Sequence, residues 1–175
     1  MGDAKSLAAY GAEAGFSTSL VPVVGGAEKI SSSTIRAALT EGRMEDAAAL
    51  LTRPWAIEGV VMPGAARGRT IGFPTLNVPL GAYQRPAYGV YAVRVDIGDG
   101  AQRAGVANLG VKPSVGANNE PLLEIHLFDF EGDLYGRRVE AGLMKFIRPE
   151  RKFESFDALK AQIAQDAIAA RAALL

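Results

Sequence analysis

The sequence predicts a mainly β protein, an antiparallel barrel or sandwich with an α-rich segment before it and a single helix after it. Three observations carry this reading. Near Arg53 and Pro54 the composition changes from alanine-dominated to β-branched and aromatic. Beyond that point come closely spaced runs of strand length separated by short turn signals. The C-terminal segment then returns to a helical spacing of apolar residues.

Taken in order, "AKSLAAYGAEAGF" reads as an alanine-rich helix ended by Gly15, and "SSSTIRAALTEGRMEDAAALL" as two short helices split by Gly42. Between them "TSLVPVV" reads as a short strand. A strand with too few partners cannot close a core, so residues 1–52 are expected to be the end of a larger domain. The strand runs are "WAIEGVVM", "YGVYAVRVDI", "QRAGVANLG", "LLEIHLFDF" and "RRVEAGLMKFI", divided by "GDG", "NNEP" and "EGDLYG". Ser155 can cap a last helix in which Phe156, Leu159, Ile163, Ala167, Ala170 and Leu174 form a stripe. Asp157 and Arg171 sit at the ends that suit the helix dipole. That helix should pack on the barrel.

Composition restricts the function. The 175 residues contain 19 Lys plus Arg and 19 Asp plus Glu, so no overall field draws the chain to nucleic acid or to an anionic membrane, and neither is expected as a partner. The absence of cysteine excludes disulfides and thiolate chemistry and fits a reducing compartment, which makes a cytoplasmic location the expectation. A single histidine, His126, leaves no room for a several-histidine metal site, and it reads as structural, at the rim of a pocket.

Anion chemistry is concentrated in "RGRTIGFPTLN". No Walker loop or dinucleotide fingerprint occurs. Gly64, Gly68 and Gly72 nevertheless allow successive backbone N–H groups to turn towards an anion, and Arg67 and Arg69 add charged donors, an arrangement that suits a polyphosphate. The same spacing also suits a strand-to-strand loop with solvated arginines. Thr75 and Asn77 project to one side of an extended segment and offer hard, neutral oxygen ligands suited to magnesium. Uncharged ligands hold a bare cation weakly, so metal and nucleotide should bind together. Alternatively, both side chains satisfy local backbone groups. In "LLEIHLFDF", alternation puts Leu123, Ile125 and Leu127 on one face and Glu124, His126, Phe128 and Phe130 on the other. A carboxylate beside aromatic surface is a candidate general base, and a solvent-facing Glu124 is the bland alternative. "SSSTIR" reads as a helix cap with some capacity for phosphate.

Taken together, "RGRTIGFPTLN", "GVYAV", "GVANLG", "LLEIHLFDFEGDLYG" and "RPERKFESFDALKAQIAQD" resemble the riboflavin kinase module of bacterial bifunctional riboflavin kinase/FMN adenylyltransferases, in order and from about Arg53 to the C-terminus. The upstream segment resembles the closing part of the same enzymes' adenylyltransferase domain. The resemblance implies residues 1–52 as an α-rich remnant of an α/β nucleotidyltransferase domain, and residues 53–175 as a six-stranded antiparallel riboflavin-kinase-like barrel with a C-terminal helix. It implies transfer of the γ-phosphoryl of ATP to the ribityl 5′-hydroxyl of riboflavin, giving FMN and ADP with Mg2+ as cofactor.

Residue roles follow from the same resemblance. Thr75 and Asn77 inherit the metal role, in a motif that reads Pro74-Thr75-Leu76-Asn77 here. Gly64, Arg67, Gly68, Gly72 and Pro74 form the ATP loop, and Tyr135 and Gly136 lie near adenine. Glu124 is the base and meets the flavin, as does Arg148. The family's adenylyltransferase needs an upstream histidine-containing motif, so these residues are expected to make no FAD. A barrel that binds flavin or nucleotide without turnover is the alternative, and a single-strand nucleic-acid barrel is disfavoured by the balanced charge.

Overall fold

A computed structural model describes residues 3–19, 30–64, 73–111 and 120–175. The chain divides into two compact units, Met1–Ser31 and Ser32–Leu175.

In the first unit, helix α1 (Ala4–Ala14) starts at Asp3, whose side chain accepts from the Ser6 N–H at 2.7 Å. It ends at Gly15, which takes the left-handed conformation (φ 81°) that glycine adopts without a Cβ penalty. The expected stop is therefore where the sequence puts it. The expected strand "TSLVPVV" lies, from Leu20 on, outside the described residues.

The second unit begins with α2 (Ser32–Thr40) and α3 (Met44–Leu51), separated at Gly42 with φ 75°. The strands follow: β1 (Trp55–Val60), β2 (Leu76–Pro79), β3 (Gly89–Asp96), β4 (Gln102–Val111), β5 (Pro121–Leu127) and β6 (Arg138–Pro149). Among the described residues they form one sheet in the order β1-β6-β3-β4-β5-β2, with all neighbouring strands antiparallel. Just past β1, the Met62 N–H donates to the Asn77 carbonyl at 2.8 Å, so the two edge strands meet and the sheet nearly closes into a barrel.

Alternation sorts the side chains. Tyr91, Leu109, Leu123, Ile125 and Leu143 are fully buried and fill the barrel interior. Ala38, Leu39, Met44 and Ala47 belong to the same cluster, so α2 and α3 are part of the barrel's core although they lie upstream of the composition change. The Ala87 N–H donates to the Leu39 carbonyl, and Gly42 sits against the Phe146 ring, where a Cβ would come within 3.0 Å.

The outer face carries a second, smaller cluster. Val90, Ala92, Val106 and Phe128 are covered there by α4 (Phe156–Ala173) through Ala167, Ala170 and Leu174. Ser155 caps α4 as expected, accepting from the Ala158 N–H. The last turn is tied down by Arg94, which donates to the Leu174 carbonyl, and by Arg171, which pairs with Asp129 and lies 4.1 Å from the Phe128 ring centroid. Its hydrogen bonds to Asp129 hold that carboxyl below its ordinary value.

Phe130 is a correction. Period-two alternation placed it with Glu124 and His126, but β5 ends at Leu127 and Asp129 takes φ 52°. The turn reverses the facing, and Phe130 packs against the interior cluster. Alternation holds only while the backbone stays extended.

Candidate functional site

The interior of the barrel is filled with side chains, so the room for a ligand is on its outer face. There the direct pairing of β2, β5 and β4 lines up Asn77, Glu124 and Asn108 across three strands. Residues directly opposite in an antiparallel ladder share a face. The large aliphatic neighbours Val78, Leu123 and Leu109 point inward, so the polar row faces out.

Helix α4 does not lie flat along this row. Its N-terminal half stands off the sheet and encloses a cavity of about 460 Å³, within the usual size of small-molecule sites. The strand side supplies Val106, Asn108, Glu124 and His126; the helix side supplies Phe156, Leu159, Ile163 and Asp166. Phe156 is 59% exposed, so the start of the predicted stripe borders the cavity instead of the core.

One ion pair spans the two walls. Arg148, at the end of β6, donates from Nε to Asp166 Oδ1 at 2.8 Å and from Nη2 to Oδ2 at 2.7 Å. This is the two-pronged geometry that suits a guanidinium and a carboxylate. Asp166 is only 4% exposed and also accepts from Gln162 at 2.7 Å; Gln162 in turn accepts from Arg151. Arg148 and Arg151 both lie by the Phe153 ring, at 5.7 and 4.9 Å from its centroid. Glu150 accepts from Asn108 at 3.1 Å and occupies space above Gly110, where a Cβ would collide with its carboxylate.

A smaller recess, about 60 Å³, lies next to the cavity between the Pro74–Leu76 segment and the turn that carries Leu134 and Tyr135. Thr75 lines both, and among the described residues no other side chain borders the two together. Asn77 is 4% exposed, and its amide fills the space where a Cβ on Gly64 would stand. A side chain at position 64 would displace it.

The structure thus brings Thr75, Glu124 and Arg148 to the large cavity, Pro74, Thr75 and Tyr135 to the small recess, and Gly64 to Asn77. Gly136 has φ 75° and donates its N–H to the Val61 carbonyl; it shapes the turn and lines neither space. Arg67, Gly68 and Gly72 lie outside the described residues, as do Arg69 and the segment after Val111. Sequence reasoning missed Asn108, Glu150 and Asp166. Asp166 left a signal: it lies three residues after Ile163 and seven after Leu159, so a carboxylate interrupts an apolar stripe.

Thr75 and Asn77 themselves offer only neutral oxygens, and the nearby carboxylate, Glu124, is opposite Asn77 in the ladder. Among the described residues, no group of three or more His, Asp or Glu side chains is arranged to hold a metal. A divalent cation here needs oxygens from a ligand to complete its shell, which fits a metal that arrives with phosphate. Also among the described residues, no helix is long and apolar enough to cross a membrane.

Comparison with known proteins agrees with this layout. A family model described as "Flavokinase: Riboflavin kinase" matches residues 51–174. The bifunctional riboflavin kinase/FMN adenylyltransferase of Escherichia coli strain K12 is 47% identical over 172 residues, covering 97% of this chain and 54% of that protein. The Bacillus subtilis protein of the same name is 45% identical over 142 residues, covering 79% of this chain and 45% of its own length. The chain thus spans about half the length of the curated relatives it matches. A crystal structure of a macrolide-efflux protein from Streptococcus pneumoniae superposes with a TM-score of 0.77 at 35% identity, over 95% of this chain and 54% of that one. Riboflavin kinase from Trypanosoma brucei, at 22% identity, shares the fold with a TM-score of 0.50 over 69% of this chain and 80% of its own. A barrel with a cavity on its outer face, under a C-terminal helix, and a family match over residues 51–174 lead to one conclusion: the chain belongs to the riboflavin kinase family.

Proposed function

We propose that this chain transfers the γ-phosphoryl group of ATP to the ribityl 5′-hydroxyl of riboflavin, forming FMN and ADP. The observation that carries the proposal is the position of Thr75 at the junction of two ligand spaces, with Glu124 in the larger one. A kinase must bring a nucleotide's terminal phosphate to another molecule's hydroxyl, and adjoining spaces that share one wall residue suit that task.

In this reading the nucleotide takes the recess beside Pro74, Thr75 and Tyr135, with Gly64, Arg67, Gly68, Gly72 and Gly136 shaping its phosphate loop and neighbouring turn. The flavin takes the cavity between the strand row and α4. Thr75 and Asn77 would hold Mg2+, which on binding neutralises charge on the phosphates. The bond from the γ-phosphorus to its bridging oxygen breaks while the hydroxyl oxygen bonds to phosphorus, and Glu124 accepts the hydroxyl proton. A glutamate, with a reference pKa of about 4.3, cannot deprotonate an alcohol in the ground state, so it accepts the proton only as the new bond forms and chiefly orients the hydroxyl. The transition state is loose, and most of the acceleration then comes from positioning and charge neutralisation. Arg148, clamped by Asp166, serves as a fixed wall on the flavin side.

Residues 1–52 are proposed as the closing part of an adenylyltransferase domain, of which α2 and α3 are packed into the barrel core, and residues 53–175 as the kinase module. The names and greater length of the relatives support a full-length protein with both activities. We also propose a cytoplasmic location, with small-molecule partners and neither nucleic acid nor membrane among them. Incubation of this polypeptide with riboflavin, ATP and Mg2+, followed by chromatography of the flavins, tests the function. FMN without FAD is expected. Bound flavin with no FMN would instead indicate a barrel that binds without turnover.

A further inference from the structure

The proposed chemistry leaves the only histidine of the chain unused. His126 lies on β5, two residues from Glu124 and on the same face, and it lines the large cavity together with Thr75. Its Nδ1 is 3.0 Å from the carbonyl oxygen of Pro74, across 52 positions of sequence. A carbonyl oxygen only accepts, so this contact needs a proton on Nδ1. In a neutral ring the other nitrogen, Nε2, then carries the lone pair.

The ring is fixed by more than this bond. Phe73 meets it edge-on with centroids 5.1 Å apart, and Phe128 does so at 6.0 Å. His126 therefore grips two consecutive residues, Phe73 and Pro74, that lead directly into Thr75. Beyond Thr75 the chain is held by strand pairing, which starts at Leu76 opposite Ile125. Thr75 itself stands between these two anchors and belongs to neither.

We propose that His126 is a positioning residue: through its Nδ1–H and its packing on Phe73 it fixes the Phe73–Pro74 segment, and so holds the Thr75 hydroxyl at the junction of the two ligand spaces. Glu124 and His126 share one rigid strand, so the group that accepts the proton and the group that sets the position of Thr75 move together. The significance of Thr75 rests on the proposed kinase function. The protonation of the ring does not.

Histidine labelled with ¹⁵N tests the first part without any turnover, because the chain contributes a single imidazole to the spectrum. At about pH 8, where an ordinary imidazole is neutral, the expected spectrum shows the proton on Nδ1. A proton on Nε2 would overturn the proposal. The second part compares His126→Asn, whose side-chain amide can place a donor close to the position of Nδ1, with His126→Leu, which has none. Calorimetry with Mg-ADP should show affinity reduced about three- to tenfold in the leucine variant and largely restored in the asparagine variant, as expected for one lost hydrogen bond. Equal affinities in the two variants would overturn the positioning role even with the Nδ1 proton in place. Failure of the wild type to make FMN while it binds Mg-ADP would count against the kinase reading alone.

Discussion

Asn77 on β2 and Glu124 on β5 are directly opposite one another in the antiparallel ladder. Directly paired residues have Cβ atoms about 5 Å apart on one face of the sheet. The proposed metal ligand and the proposed proton acceptor are thus set at a fixed separation by backbone hydrogen bonds, not by loops. Ordinary loop motion cannot change that separation.

Glu124→Gln keeps the shape of the side chain and removes its capacity to accept a proton. It is expected to lower kcat by about a hundredfold or more while riboflavin and Mg-ATP still bind. Steady-state kinetics alongside flavin fluorescence titration measures both. Normal turnover in this variant would remove Glu124 from the chemistry.

Thr75→Val deletes one oxygen at nearly constant volume. If the hydroxyl meets the metal, ADP affinity should fall by about three- to tenfold with Mg2+ present and stay unchanged in EDTA. An equal loss under both conditions would assign the hydroxyl to the local backbone.

Asp166→Asn leaves the half-buried Arg148 guanidinium at the cavity wall without its counter-charge. Breaking a fully buried pair from one side costs about 3 kcal/mol or more and a half-buried one less, whereas replacing both partners by apolar residues is often tolerated. Urea unfolding at neutral pH should therefore show a marked loss for the single variant and a recovery in Arg148→Met/Asp166→Leu. A double variant as unstable as the single one would show that the pair itself supplies net stability.

Leu39→Ala tests where the folding unit begins. Leu39 is 2% exposed and lies in the barrel core, upstream of the residues matched by the family model. Truncation of a buried leucine costs about 2 to 5 kcal/mol. A shift of that size, in a single transition that also reports the barrel, would make α2 and α3 part of one cooperative unit. An unchanged barrel would separate them from it.

Local pattern and tertiary placement differed in how readable they were. The five strand runs beyond Pro54, the stop at Gly15, the break at Gly42 and the Ser155 cap are written in residue types whose effect is local, and each has its counterpart in the structure, whereas the short strand β2 was not among the predicted runs. Phe130 was misplaced because a single left-handed residue, Asp129, ends the alternation, and nothing in the composition marks it. The docking of Leu39 and Met44 into the barrel was not readable, since periodicity shows that a helix has an apolar face but not what covers it. The pairing of Asn77 with Glu124 is likewise a matter of strand register between distant segments. Oxygen chemistry and strand alternation singled out those two residues, the motif resemblance implied their roles, and the fold sets them opposite one another.

The central claim, that two adjoining spaces meeting at Thr75 pass a phosphoryl group from nucleotide to flavin, is tested most directly with ATP radiolabelled at the γ-phosphorus. The purified chain is supplied with riboflavin and Mg2+, and the label is followed through flavin separation. The account predicts that label enters FMN in one-to-one proportion to the ADP formed, and that ADP formation stops when riboflavin is left out. Label recovered only as inorganic phosphate, or an unlabelled flavin pool beside accumulating ADP, would contradict it.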